Sequence, residues 1–212
     1  MARLVSIWYG ALLEVRFGNT ERVAALADEM HALVDEYALA HGRNACRWFR
    51  GYADSRMGAP RDGYQIIRDA YEENARLGML AGASEILGYA TEALVLAGDL
   101  DRAQKQLEEA LHVADELGER VYLPQLYLLE AAIARAHGER TTAEGSVRRA
   151  IAETRAQQAP WLELMALIDL CENDHATHED GRALTQLVEQ LPDASETTAV
   201  AKARRLMETK PA

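Results

Sequence analysis

The chain has 212 residues, of which 49% are apolar, 27% charged and 6% aromatic, and its formal net charge is −11. That apolar fraction excludes a disordered chain, and the acidic balance argues against direct nucleic-acid binding, which needs clustered lysine and arginine. No stretch approaches about eighteen uninterrupted apolar residues and Met1-Ala2-Arg3-Leu4-Val5 lacks the apolar core of a secretory leader, so a soluble cytoplasmic protein without membrane contact is expected.

The residue pattern predicts helices throughout. The first runs over about 3–17, ends at Gly18 and is followed by a longer one over about 20–40. The same pair recurs at 43–57 and 60–77, at 82–97 and 100–118, at 121–137 and 140–158, and at 161–175 and 179–190. Apolar residues recur four apart, as in Tyr9, Leu13 and Phe17, then Phe49, Ala53 and Met57, then Tyr89, Ala93 and Ala97, then Leu129 and Ile133. That spacing is the amphipathic-helix period rather than strand alternation. Between partners stand Gly18-Asn19-Thr20, Gly58-Ala59-Pro60, Gly98-Asp99-Leu100 and Gly138-Glu139-Arg140, which pair a turn glycine with a helix opener. The tail carries Val200, Ala203, Leu206 and Met207 among polar residues over 195–207 and predicts a final helix that caps the last apolar face.

Four of the fourteen glycines, Gly18, Gly58, Gly98 and Gly138, fall on one forty-residue register, and the fifth position is His178. Two further columns hold small or compact residues: Val23, Gly63, Ala103, Ala143 and Ala183, and Ala11, Gly51, Thr91, Ala131 and Cys171. A fixed period with small residues in fixed places means stacked units that bury one another's apolar faces. The expected fold is therefore all-α, a right-handed superhelical solenoid of five helical hairpins. Its units are about 3–40, 43–78, 82–118, 121–158 and 161–191, forming one array over 1–191, with the capping helix and tail over 192–212. Cys46 and Cys171 fall in units two and five, too far apart in such an array to pair, so both are expected as free thiols in a reducing compartment.

The segment Ala97-Gly98-Asp99-Leu100-Asp101-Arg102-Ala103, continuing through Leu107, Glu108, Glu109, Ala110 and Leu111, resembles the tetratricopeptide repeat. Its forty-residue period is similar to that of the MalT-like subgroup. The likeness extends through Gly118-Glu119-Arg120-Val121-Tyr122 and Gln125-Leu126-Tyr127-Leu128-Leu129 to Leu162-Glu163-Leu164. It looks like the C-terminal array of bacterial signalling ATPases, LuxR-type regulators and class III adenylyl cyclase homologues. The resemblance implies a regulatory, non-catalytic module that binds a protein or peptide partner or other domains of a parent chain, with self-association a further option. In those proteins a nucleotide-binding domain precedes the array. Here no Gly-x-x-x-x-Gly-Lys-Ser/Thr loop occurs, and a pattern already running at the N-terminus is what an excised C-terminal region would display.

No cofactor, metal or catalytic residue is expected. His175 and His178 stand three apart beside Asp174, Glu179 and Asp180, a spacing that zinc accepts, but the segment reads as an inter-helix turn whose polar residues serve as caps. No Gly-x-Ser-x-Gly elbow accompanies the histidines. Two features are candidates for partner binding. Arg43, Arg47 and Arg50 share one helical face, with Arg56 further on, and suit a carboxylate or phosphate; pairing such as Arg50 with Asp54 is the plainer alternative. Trp8 and Trp48 share one column and Tyr52 lies close by, placing aromatics where a groove would take a peptide, or where hairpins pack. A small effector in the groove is the competing functional reading.

Overall fold

The computed structural model describes residues 2–37, 42–173, 175–191 and 197–209. Among them are eleven α-helices and no strand. The chain divides into two compact units, Met1–Glu119 and Arg120–Ala212, a division that falls inside the stretch read from periodicity as one array.

The first unit holds α1 (Ala2–Phe17), α2 (Thr20–Glu36), α3 (Arg43–Arg56), α4 (Pro60–Arg76), α5 (Ala83–Leu96) and α6 (Leu100–Leu117). Each helix packs on its neighbour in sequence, and α3 also packs on α5. The two small-residue columns meet inside the hairpins. Ala11 and Val23 are fully buried, as are Thr91 and Ala103. At the α3–α4 crossing a Cβ on Gly51 would lie 2.8 Å from the Gly63 carbonyl oxygen, so that approach admits no side chain. Around these contacts Met30, Phe49, Ile67 and Tyr89 fill a continuous core. The N-terminus of α5 is capped from a distance. Its N-cap residue, Gly82, has no side chain to offer, and the Glu119 carboxylate accepts from Gly82 N at 2.6 Å, Ser84 N at 2.9 Å and Ser84 Oγ at 2.6 Å. An anion there meets both the orphan N–H groups and the positive end of the helix dipole.

The second unit begins with a 3-10 turn over Arg120–Tyr122 and continues with α7 (Leu123–Ala136), α8 (Arg140–Ala156), α9 (Pro160–Glu172), α10 (His178–Gln190) and α11 (Thr198–Thr209). Here α7 packs on α8, α8 on α9, α9 on α10, and α7 also on α9. The last helix lies on α9 and α10 and inserts Val200 and Ala203, both fully buried, against Leu164, Leu167 and Leu170.

Several boundaries differ from the expected ones. The helix expected over 121–137 opens with the 3-10 turn, because Pro124 carries no N–H and occupies the first turn of α7. The helix expected to reach 175 ends at Glu172, where Asn173 Nδ2 donates back to the Asp169 carbonyl. The helix expected to reach 40 ends at Glu36, and residues 38–40 lie outside the described residues. The apolar stripe of the first helix is also differently placed. Phe49, Ala53, Tyr89 and Ala93 are buried, whereas Tyr9 is 59% and Leu13 57% exposed. The helix α1 turns Ile7, Ala11 and Val15 to the core instead, where α2 packs on it.

The glycine register marks turns in left-handed backbone. Gly98 has φ +72°, and a Cβ built there meets nothing within 4 Å, so only backbone strain resists a side chain. A second column, Gly78, Gly118 and position 158, closes the second helices. There Gln158 holds φ +53°, the one described non-glycine residue with positive φ. Gly98→Val is expected to cost about 1–2 kcal/mol, while Gln158→Gly is expected to gain about 0.5–1 kcal/mol, the relief of a Cβ in left-handed backbone less the entropy of a freer unfolded chain. Denaturant melts of both variants check the pair, and a Gly98→Val midpoint equal to wild type contradicts the turn assignment.

Candidate functional site

The arginines of α3 emerge on a face bounded by two acidic helices. Arg50 Nε donates to Asp54 at 2.9 Å and its Nη1 reaches both oxygens of Asp28 on α2, at 3.1 and 3.2 Å. Arg47 approaches Glu73 at 3.3 Å and Asp69 at 3.8 Å, both on α4. Arg43 lies 3.9 Å from Asp35. Burial disfavours the charge of Arg50, but Asp54 and then Asp28 outweigh it and raise the guanidinium pKa further. The structure thus unites the three arginines that the sequence singles out and gives each an acid. The acids from α2 and α4 lie more than one helical turn away in sequence and escape a search for i, i+4 pairs. Arg56 points elsewhere, into an ion pair with Glu92 of α5 and over the Tyr52 ring at 5.4 Å.

Beside this face is a cleft of about 400 Å³. Ala27, Cys46 and Ile66 form its apolar wall, and Asp28, His31, Arg47 and Arg50 its polar one. The Cys46 thiol donates to the Gly42 carbonyl at 3.2 Å, and burial pushes its pKa up to about 11. A thiol so held is protonated at neutral pH and makes a poor nucleophile. The cleft therefore offers an apolar wall and two guanidinium edges, suited to a ligand with a carboxylate or to an acidic side chain of a partner.

The aromatic candidates separate. Trp48 and Tyr52 are each 4% exposed. Trp48 stacks on Tyr89 at 5.8 Å with 17° between planes, and Tyr52 meets Tyr89 edge-on at 5.1 Å. As surface ligands for a peptide they are corrected by burial, since their rings join α3 to α5. Trp8 alone of the three presents itself to solvent, at 39%. Beneath these rings lies a polar contact not foreseen from sequence. The Tyr89 hydroxyl donates to Glu85 Oε1 at 2.6 Å, and Arg16 reaches the same oxygen at 2.6 Å. Burial, followed by the Glu85 charge, holds the Tyr89 phenol well above its ordinary pKa, so it stays a donor. The available sequence signal was Glu85 itself, a carboxylate inside the apolar run of α5.

The histidine segment is a helix start. Thr177 and Asp180 form a reciprocal capping box, with Thr177 N donating to Asp180 at 2.7 Å. Arg148 donates to both Asp180 oxygens at 2.8 and 2.9 Å and to the His175 carbonyl at 3.1 Å. Asp174 lies outside the described residues, and among those described no three metal-type ligands converge. No described helix is long and apolar enough to cross a membrane. Cys46 and Cys171 are both buried.

Burial works against the Asp180 charge, but the Thr177 amide, Arg148 and the Thr177 hydroxyl together hold its pKa below the usual carboxylate value. Its stabilising contribution is complete above the unfolded value near ~3.9 and is lost as pH falls through the lower folded value. Asp180→Ala is expected to cost about 1–3 kcal/mol at pH 7 through the lost cap and charge-assisted bonds. In denaturant melts the gap between variant and wild type should narrow as pH falls below the usual carboxylate range; a gap that stays constant through that fall assigns the loss to packing instead.

No protein-family model matches the chain, and no curated protein matches it in sequence.

Proposed function

We propose that the chain is a non-catalytic protein-interaction or sensory module. In this reading its hairpins are tetratricopeptide-like repeats of a right-handed solenoid, belonging to the C-terminal part of a bacterial signalling regulator. The observation that carries the interaction reading is the cleft between α2, α3 and α4, where Arg47 and Arg50 stand beside an apolar wall. Hairpin arrays bind through such faces rather than through a buried reaction centre. The acids around the two arginines set the terms of binding. An incoming carboxylate exchanges with Asp28 or Glu73 at half-exposed guanidinium groups, where the existing pairs are worth little, and fork geometry favours a planar carboxylate over a point charge.

A second reading rests on the same cleft. Its volume, about 400 Å³, suits a small effector acid. Native mass spectrometry of protein purified from its host separates the two, since an effector adds a discrete small mass and a protein partner does not.

An Arg47→Glu, Arg50→Glu double variant tests the face. It is expected to fold with a melting temperature within a few degrees of wild type, since exposed ion pairs contribute about 0–1 kcal/mol each, and to lose a partner that wild type retrieves from the native host. A folded double variant that retains every partner and every bound small molecule removes this face from the function.

A further inference from the structure

The cleft between α2, α3 and α4 carries both signs of charge side by side. Asp28 of α2 and Arg50 of α3 line it together, with Arg50 Nη1 at 3.1 and 3.2 Å from the two Asp28 oxygens. Arg47 lines it from one turn back on α3, and Ala27, Cys46 and Ile66 form the apolar side. The Cys46 thiol is committed to the Gly42 carbonyl, so that side carries no charge. His31, at the rim, is directed to Asp35 at 3.3 Å. Over the whole face three arginines, Arg43, Arg47 and Arg50, meet five acids, Asp28, Asp35, Asp54, Asp69 and Glu73. The local balance is negative, and a plain carboxylate entering the cleft adds to it. Such a ligand also displaces Asp28 from Arg50, so the pair it gains is offset by the pair it breaks.

We infer that the ligand class of this cleft is a free α-amino acid with an apolar side chain. Its carboxylate lies on Arg47 and Arg50 and its ammonium on Asp28. The inference rests on the small-effector reading of the cleft and supplies the chemistry that reading lacks. An α-amino acid holds its two charges on neighbouring groups of one carbon, which matches an acid and a base already within hydrogen-bond distance of each other. Being neutral overall, it leaves the charge balance of the face unchanged. Arg50 exchanges the Asp28 carboxylate for that of the ligand, and Asp28 exchanges a guanidinium for an ammonium. The planar guanidinium donates to both oxygens of a carboxylate, while a compact ammonium needs only a point acceptor. The ligand side chain then covers Ala27 and Cys46, which are almost inaccessible, and the half-buried Ile66. At about 400 Å³ the cleft is at the small end for ligand pockets, which suits a molecule of about ten heavy atoms.

Isothermal titration of the full chain with L-leucine, L-methionine and L-phenylalanine tests the assignment. Isocaproate and isopentylamine, which are leucine without its amine and without its carboxylate, are the matched controls. At least one of the amino acids is expected to bind with a dissociation constant on the order of 10⁻⁴ M, and each control about tenfold more weakly. Asp28→Asn is expected to melt within a few degrees of wild type, its ion pair being exposed. It should bind the amino acid about tenfold more weakly and isocaproate more tightly. No saturable heat from any of the three amino acids up to about 10 mM overturns the inference. So does isocaproate binding as tightly as L-leucine, or an Asp28→Asn variant with unchanged affinity. Saturable binding of isocaproate alone removes the amino acid but keeps the small-effector reading. Retention of every bound small molecule by the Arg47→Glu, Arg50→Glu variant removes the cleft itself, so the two readings fail separately.

Discussion

The closeness of the two helices within a hairpin is the constraint on which the rest depends. At Gly51 and Gly63 the backbones approach so nearly that an added Cβ would lie 2.8 Å from both the Gly63 carbonyl and Ile67 Cγ1. Ser55 completes the contact by donating its hydroxyl to the Gly51 carbonyl at 2.7 Å, which satisfies a polar side chain buried in the crossing. The corresponding positions elsewhere are Ala11 with Val23, Thr91 with Ala103, and Ala131 with Ala143, all fully buried. Thr91 uses the device of Ser55, donating to the Leu87 carbonyl at 2.9 Å. A tight crossing maximises dispersion contact along two helices that have few large side chains between them. It also fixes which residues face the next hairpin, and so determines the position of Phe49 and Tyr89.

Charge is organised at the level above. Several arginines reach an acid about one repeat away: Arg56 to Glu92, Arg68 to Glu109 at 2.7 Å, and Arg135 to Asp169 at 2.8 Å. These pairs join first helix to first helix or second to second, so they link consecutive hairpins rather than partners within one. Each is partly exposed and adds little stability by itself. Their effect is on register, because a hairpin displaced by four residues would set Arg56 against Gly88 or Leu96 and Arg68 against Lys105 or Val113. The same arrangement explains how a helix as arginine-rich as α3 persists: α2 and α4 supply acids on either side of it.

These two levels bear on the candidate site in different ways. The cleft beside Arg47 and Arg50 exists because α3 sits between α2 and α4 with small residues, Ala27 and Cys46, at its wall. The stripe on α1 has a different origin. Its residues follow the forty-residue pattern, and the pattern includes the face that a neighbouring helix would cover.

Much of this was legible in the sequence. Helix positions, the turn at Gly98 and the small columns at Gly51 and Gly63 follow from local periodicity and from which residues tolerate left-handed backbone or close approach, and these properties belong to a residue and its near neighbours. The fates of Trp48, Tyr52 and Arg50 were not legible in that way. Trp48 and Trp8 occupy the same column of the repeat, yet one stacks on Tyr89 and the other faces solvent. The pairing of Arg50 with Asp54, four residues on, was legible, but not its second partner Asp28, which α2 brings to it from 22 residues away. The sequence by itself determined the helical hairpins and their small-residue crossings, because both are set by repeating local chemistry. Only the tertiary structure decided which apolar and charged faces are open, because burial and ion pairing depend on which helix lies alongside, and identical positions in successive repeats do not have identical neighbours.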